Sequence, residues 1–240
     1  MPIIQKVIAF VLISLFVFIF TLFILLYTLS TTALNPDYLI KELENNQVYN
    51  KISLALPMLS QYYSKEDLKK EAELFIKSVI PTSSNPNPDY SKYLFYLGDK
   101  AAQFNEIMPT LSLIFFLYIN QWILLVVSFI LLLILVLTQT NLLDRLKIIA
   151  KAFFKSAITL FIYAGLVYFL VNTVLPALVP ANQNPIAQIL MPVVLSVLNA
   201  LANNLLVYGI ACIFLTLLLY LLVYLLGRKN KDLINKQIAV

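Results

Sequence analysis

The sequence predicts an all-α, polytopic membrane protein with four transmembrane helices and a helical extracytoplasmic domain between the first and second. Three observations carry that expectation. Of 240 residues, 61% are hydrophobic and only 12% charged, against about 25% charged in a typical soluble domain. Four runs, residues 7–29, 117–137, 157–179 and 205–226, contain no Asp, Glu, Lys or Arg. Each suffices for the ~30 Å hydrocarbon core, which takes roughly 20 helical residues. Basic residues are also distributed asymmetrically: Lys6, then Arg145, Lys147, Lys151 and Lys155, then Arg228, Lys229, Lys231 and Lys236 flank the runs on one side. The short connection between the third and fourth runs has none. By the positive-inside rule, both termini (1–6 and 227–240) and the middle loop (138–156) are expected in the cytoplasm of a multi-pass cell-membrane protein.

The first run, 7–29, competes with a cleaved secretory signal, but a signal's apolar region is about 7–15 residues. Ser14, Thr21 and Thr28 recur every seven residues on it. This spacing predicts a close-packed seam between helices, since small residues let backbones approach in lipid.

Segment 30–116 holds eight lysines and ten acids and reads as a helical outer domain. Asn35-Pro36-Asp37 presents an N-cap, a proline at the first helical position and an acid in the first turn. Val48–Tyr63 is expected to be helical with an interruption near Pro57. Ser64-x-x-Asp67 forms a capping-box pattern before 65–80, where Leu68, Ala72, Phe75, Ile76 and Val79 follow a 3.6-residue period. Residues 81–88 read as a loop. Asn87-Pro88-Asp89-Tyr90 then repeats the tetrapeptide at Asn35–Tyr38 and opens a further helix; capping explains both copies. Pro109 breaks the path to the second run, and Trp122 marks its outer interface. Residues 111–119 stand either just above the membrane or within a tilted span.

On the inner side, 141–156 is amphipathic. Leu142, Leu143, Leu146, Ile149 and Phe153 are expected on one face, with Lys147, Lys151 and Lys155 on another. Arg145, Lys147, Lys151 and Lys155 are the candidate lipid-headgroup residues; the plainer reading makes them topology anchors. In the third span, Gly165, Tyr168 and Asn172 share a face, and Asn172 is expected to hydrogen-bond a neighbouring helix. Residues 180–204 predict an outer amphipathic helix starting at Asn184-Pro185. Its broad apolar face comprises Ile186, Ile189, Leu190, Val193, Val194, Val197, Leu198 and Leu201; Gln188, Ser196 and Asn199 form a polar face towards water or a partner. This helix is expected to run into the fourth span, with the excess length projecting outwards or bending near Asn203-Asn204.

The residues present leave little for chemistry. The sequence has no histidine and one cysteine, Cys212, so His-dependent metal sites, His-assisted nucleophiles and intramolecular disulfides are excluded. Its four glycines stand too far apart for a phosphate loop. The paired acids Glu71 and Glu73 lie two apart, pointing different ways on a helix. The chain is therefore expected to be no enzyme, to carry no cofactor and to bind no nucleic acid. Its partners are the lipid bilayer and a protein or envelope component, or a second copy, held by the outer domain. The alternative is a passive pore formed by oligomerisation and lined by Ser14, Thr21, Thr28 or Asn172. Fifteen lysines against two arginines suggest an AT-rich bacterial source. The predicted topology is similar to that of claudins and tetraspanins. Both families bridge their outer loops with cysteines, which the outer segments here lack.

Overall fold

The computed structural model describes residues 3–55, 62–80, 116–178 and 185–238, with side chains from 4 to 177 and from 185 to 228 within them. The interruption near Pro57, the loop 81–88, the second Asn-Pro-Asp-Tyr, residues 111–115 and residues 180–184 lie outside the described residues. Among the described residues every regular element is helical: α1 (Ile3–Thr31), α2 (Pro36–Asn45), α3 (Val48–Ala55), α4 (Lys65–Val79), α5 (Gln121–Leu137), α6 (Leu142–Phe169), a π-helical turn (Leu170–Val174), α7 (Leu175–Leu178) and α8 (Pro185–Ile238). Among the described residues three segments are long and apolar enough to cross a membrane: Ile4–Thr31, Leu142–Ala177 and Pro185–Arg228. The apolar helix α5 is shorter, at 17 residues.

The chain divides into two compact units. The first comprises Met1–Leu25, Trp122–Ala164 and Asn204–Val240. Its core joins Ala9, Ile13 and Phe16 of α1 to Leu135 of α5 and to Ile148 and Ala152 of α6. Spacings of four and three bring the α1 residues onto one stripe. Phe16 lies 5.3 Å from Phe20, nearly parallel to it, and meets Phe153 edge-on at 5.7 Å.

A second seam in this unit runs between α6 and α8. Ala150, Ala157 and Ala164 repeat every seven residues and are fully buried, allowing close approach of the backbones. Thr216 Oγ1 lies 2.8 Å from the Cys212 carbonyl of its own helix and 3.4 Å from the Ala150 carbonyl of α6. A Cβ added at Gly209 would meet the Phe161 ring at 2.8 Å, which explains a glycine there.

The second unit comprises Leu26–Gln121 and Gly165–Asn203. In it α2, α3 and α4 pack against one another. The Asn35 side chain accepts hydrogen bonds from the Asp37 and Tyr38 amides at 3.0 and 3.1 Å and caps α2, with Pro36 at its start. Ser64 and Asp67 complete a reciprocal capping box on α4. Between α2 and α3 the chain turns at Gln47, whose φ of 53° is left-handed. Val48 of α3 forms a core with Ile189, Val193 and Val197 of α8, flanked by Tyr38, Leu39, Leu43 and Ile52. On α4, Leu68, Ala72, Ile76 and Val79 are half-buried, but Phe75 is exposed.

One expectation about a helix break is modified. The inner amphipathic segment and the third span form one helix, α6, because no proline or glycine interrupts the chain from Leu142 to Ala164. Helix α8 runs on through Asn203 and Asn204 into the fourth apolar run. The seam residues Thr21 and Thr28 are buried within their respective units, while Ser14 is exposed.

Candidate functional site

In the first unit, α1 and the opening turns of α6 enclose a groove of about 780 Å3. Four lysines line it: Lys6 from α1, and Lys147, Lys151 and Lys155 from α6. Lys151 and Lys155 follow Lys147 at spacings of four, so helical geometry brings all three to one side. Asp144 is the one acid in the lining, and its carboxylate lies 3.6 Å from the Lys147 ammonium. The lining side chains therefore carry four positive charges against one negative. The floor is apolar, built from Ala9, Phe10 and Ile13 of α1 with Ile148 and Phe154 of α6. Lys155 stands 4.9 Å from the centroid of the Phe10 ring, where a cation is attracted to the ring face.

A shallower groove of about 350 Å3 shares Lys155 and continues between Val17, Phe18 and Ile158. Ser14, Thr21 and Thr159 also line it. Their hydroxyls donate to carbonyls one turn back in their own helices, at 2.9, 2.7 and 3.0 Å. Satisfied in this way, these polar residues leave a largely apolar surface.

Three of the four candidate headgroup residues are thus brought together, and the fourth is not. Arg145 Nε donates to the Gln139 carbonyl at 2.9 Å, pinning the α5–α6 turn, and Arg145 does not line the groove. Lys6 takes its place, a residue that sequence spacing cannot connect with α6. The apolar face of α6 is also rotated from the expected one. Leu143, Leu146, Ile149 and Phe153 of that face are half-buried and Leu142 is 61% exposed, whereas Ile148 and Ala152 beside it are buried against α1 and α5, and Ala150 is buried towards Thr216 of α8.

The candidate polar face of α8 is divided. Gln188 is exposed and lines a shallow groove with Lys51, Leu54, Ala55, Pro185 and Ile189. Ser196 is half-buried and hydrogen-bonded to the Tyr38 hydroxyl. Burial, followed by the Glu42 charge, raises the Tyr38 phenol above its ordinary value, and the Ser196 bond partly opposes them. Asn199 is half-buried. Asn172 Nδ2 donates to the Tyr168 carbonyl of its own helix at 2.8 Å. Tyr168 instead makes the interhelical bond expected of Asn172, donating its hydroxyl to Asn203 Oδ1.

The charged helices of the second unit form one ionic cluster. Lys69 of α4 pairs with Glu44 of α2 and lies 3.9 Å from Glu73; its hydrogen bond to Glu44 raises the ammonium pKa above its usual value. Below it, the Tyr49 hydroxyl is buried with no hydrogen-bond partner among the described residues. Desolvation, then Glu73 and Glu44, push that phenol up, while Lys69 acts against them. No group of three or more His, Cys, Asp or Glu among the described residues is placed to hold a metal ion. No family model, curated protein or solved structure matches this chain.

Proposed function

We propose that this is a non-catalytic, four-span membrane protein with cytoplasmic termini, whose extracytoplasmic helical domain docks a protein or cell-envelope partner or a second copy of the chain. The observation that carries the reading is the contrast between its exposed surfaces. Helix α5 exposes Trp122, Ile123, Val126, Phe129, Ile130, Leu133, Ile134 and Leu137, a surface suited to lipid. Its 17 residues fall at the short end of the spanning range of about 17–25, which supports a fourth span. Segment 30–116 instead interleaves charges with exposed Leu54, Tyr62, Tyr63, Leu74 and Phe75. Apolar and tyrosine side chains among charges suit protein contact, where aromatic residues dominate binding energy.

The nine-to-none basic asymmetry sets the orientation. A passive pore draws no support from Ser14 and Thr21, whose hydroxyls are engaged by their own backbone. The docking test is photo-crosslinking from Tyr62 and Phe75 in intact cells, followed by purification and identification of adducts. Docking predicts one discrete adduct, or a dimer, from both positions that is lost in Leu74→Glu. Only background adducts at both positions contradict it.

A further inference from the structure

We propose that the groove between α1 and α6 seats an anionic phospholipid, with its phosphate among Lys6, Lys147, Lys151 and Lys155 and an acyl chain on the apolar floor. Charge selects the headgroup. Four ammonium groups face one carboxylate, and Lys147 already shares its charge with Asp144; Lys6 and Lys151 have no ion pair among the described residues. A zwitterionic headgroup would bring a fifth cation into this set, while a net negative one offsets its charge.

The floor selects a lipid over a free anion. Inorganic phosphate would leave the exposed Phe10 and Phe154 rings of the lining uncovered, whereas an acyl chain covers them. From Lys155 the second groove, between Val17, Phe18 and Ile158, continues the apolar path. Volume agrees, since about 780 Å3 falls within the ~300–1,000 Å3 of ligand sites. Basic pockets between membrane helices bind anionic headgroups by this chemistry. The inference rests on α1 and α6 lying in a membrane; it does not depend on which side the lysines face.

The test uses the full-length protein in neutral detergent, with lipid adducts counted by native mass spectrometry. Phosphatidylglycerol and phosphatidylcholine of identical chains are titrated separately. The groove predicts a preference for phosphatidylglycerol of about tenfold or more, and inorganic phosphate at millimolar concentration leaves it unchanged. Removing a lysine weakens the anionic lipid about fivefold, so Lys6→Gln/Lys151→Gln loses roughly 25-fold. Lys65→Gln/Lys70→Gln on α4 loses nothing. Phe154→Gln, which removes exposed apolar surface from the groove without changing charge, also lowers retention and provides the test if the lysine variant does not fold. Equal binding of the two lipids, full displacement by phosphate, or unchanged retention in the folded variants would overturn the proposal. Reporter fusions that move the lysines to the outer side would overturn the topology and leave the groove standing.

Discussion

The Lys155 ammonium stands 4.9 Å from the centroid of the Phe10 ring, joining α6 to α1 at the rim of the groove. Immediately deeper, Phe16, Phe20 and Phe153 form a three-ring cluster with centroid distances of 5.3, 5.7 and 5.7 Å. The groove exists because this cluster holds α1 against α6 while the basic ends remain open.

Phe16→Ala tests that clamp. In lipid the transfer contribution largely vanishes, because the surroundings are as apolar as the core, and the cavity contribution remains. The expected destabilisation is about 2 kcal/mol, read as a lowered Tm in detergent. Phe10→Ala, at a side chain 62% exposed, should move Tm little while weakening lipid retention.

The α6–α8 seam makes Gly209→Ala and Gly165→Ala opposite in sign. Alanine gains up to about 1 kcal/mol of helix propensity at either site. At Gly209 the new Cβ meets Phe161 at 2.8 Å, and overpacking costs about 1–3 kcal/mol, so the seam loses. At Gly165 nothing lies within 4 Å, so the substitution should be neutral or stabilising. Thermal denaturation checks both, and Phe161→Leu should rescue Gly209→Ala.

The capping box gives α4 an acid-sensitive start. Hydrogen bonds from the Ser64 hydroxyl and then its amide hold the Asp67 carboxyl below its ordinary 3.8. A depressed carboxylate pKa contributes stability that is fully present above the unfolded value and disappears as pH falls through the folded one. Amide exchange in 65–79, corrected for intrinsic rates, should therefore accelerate below about pH 3.8. Asp67→Asn should already exchange faster at pH 6 and lose that pH dependence.

On α8, cysteine labelling in a Cys212→Ala background should rank sites by burial. Gln188→Cys should react fastest with a maleimide. Asn199→Cys and Ser196→Cys should be intermediate, the latter because Tyr38 covers it, and Ile189→Cys and Val193→Cys slowest. Equal rates at Gln188 and Val193 would remove the core of the second unit.

Local signals were legible and interhelical ones were not. Asn35-Pro36 and Ser64-x-x-Asp67 cap the helices they announce, because a cap is formed within four residues. On α8 the polar residues make the face legible coarsely: of its eight apolar residues Ile189, Val193, Val197 and Leu201 are buried, while Ile186, Leu190 and Val194 are exposed. In the apolar runs, every side of the helix is hydrophobic, so periodicity does not reveal the packed face. Packing in lipid follows small residues and shape instead. Hydrophobicity therefore does not mark the Ala150, Ala157 and Ala164 repeat, although its seven-residue spacing stands in the sequence. Polarity points to Asn172, whereas it is Tyr168 that reaches Asn203. Lys6 joins the groove only through tertiary packing.

Placement of segment 30–116 outside and the α5–α6 turn inside is the claim on which the functional reading depends. Single cysteines Glu66→Cys and Thr140→Cys, both at exposed positions in a Cys212→Ala background, test it with a membrane-impermeant maleimide on intact cells. The account predicts that Glu66→Cys is labelled at once and Thr140→Cys only after permeabilisation. Labelling of Thr140→Cys in intact cells, or protection of Glu66→Cys until permeabilisation, would contradict it.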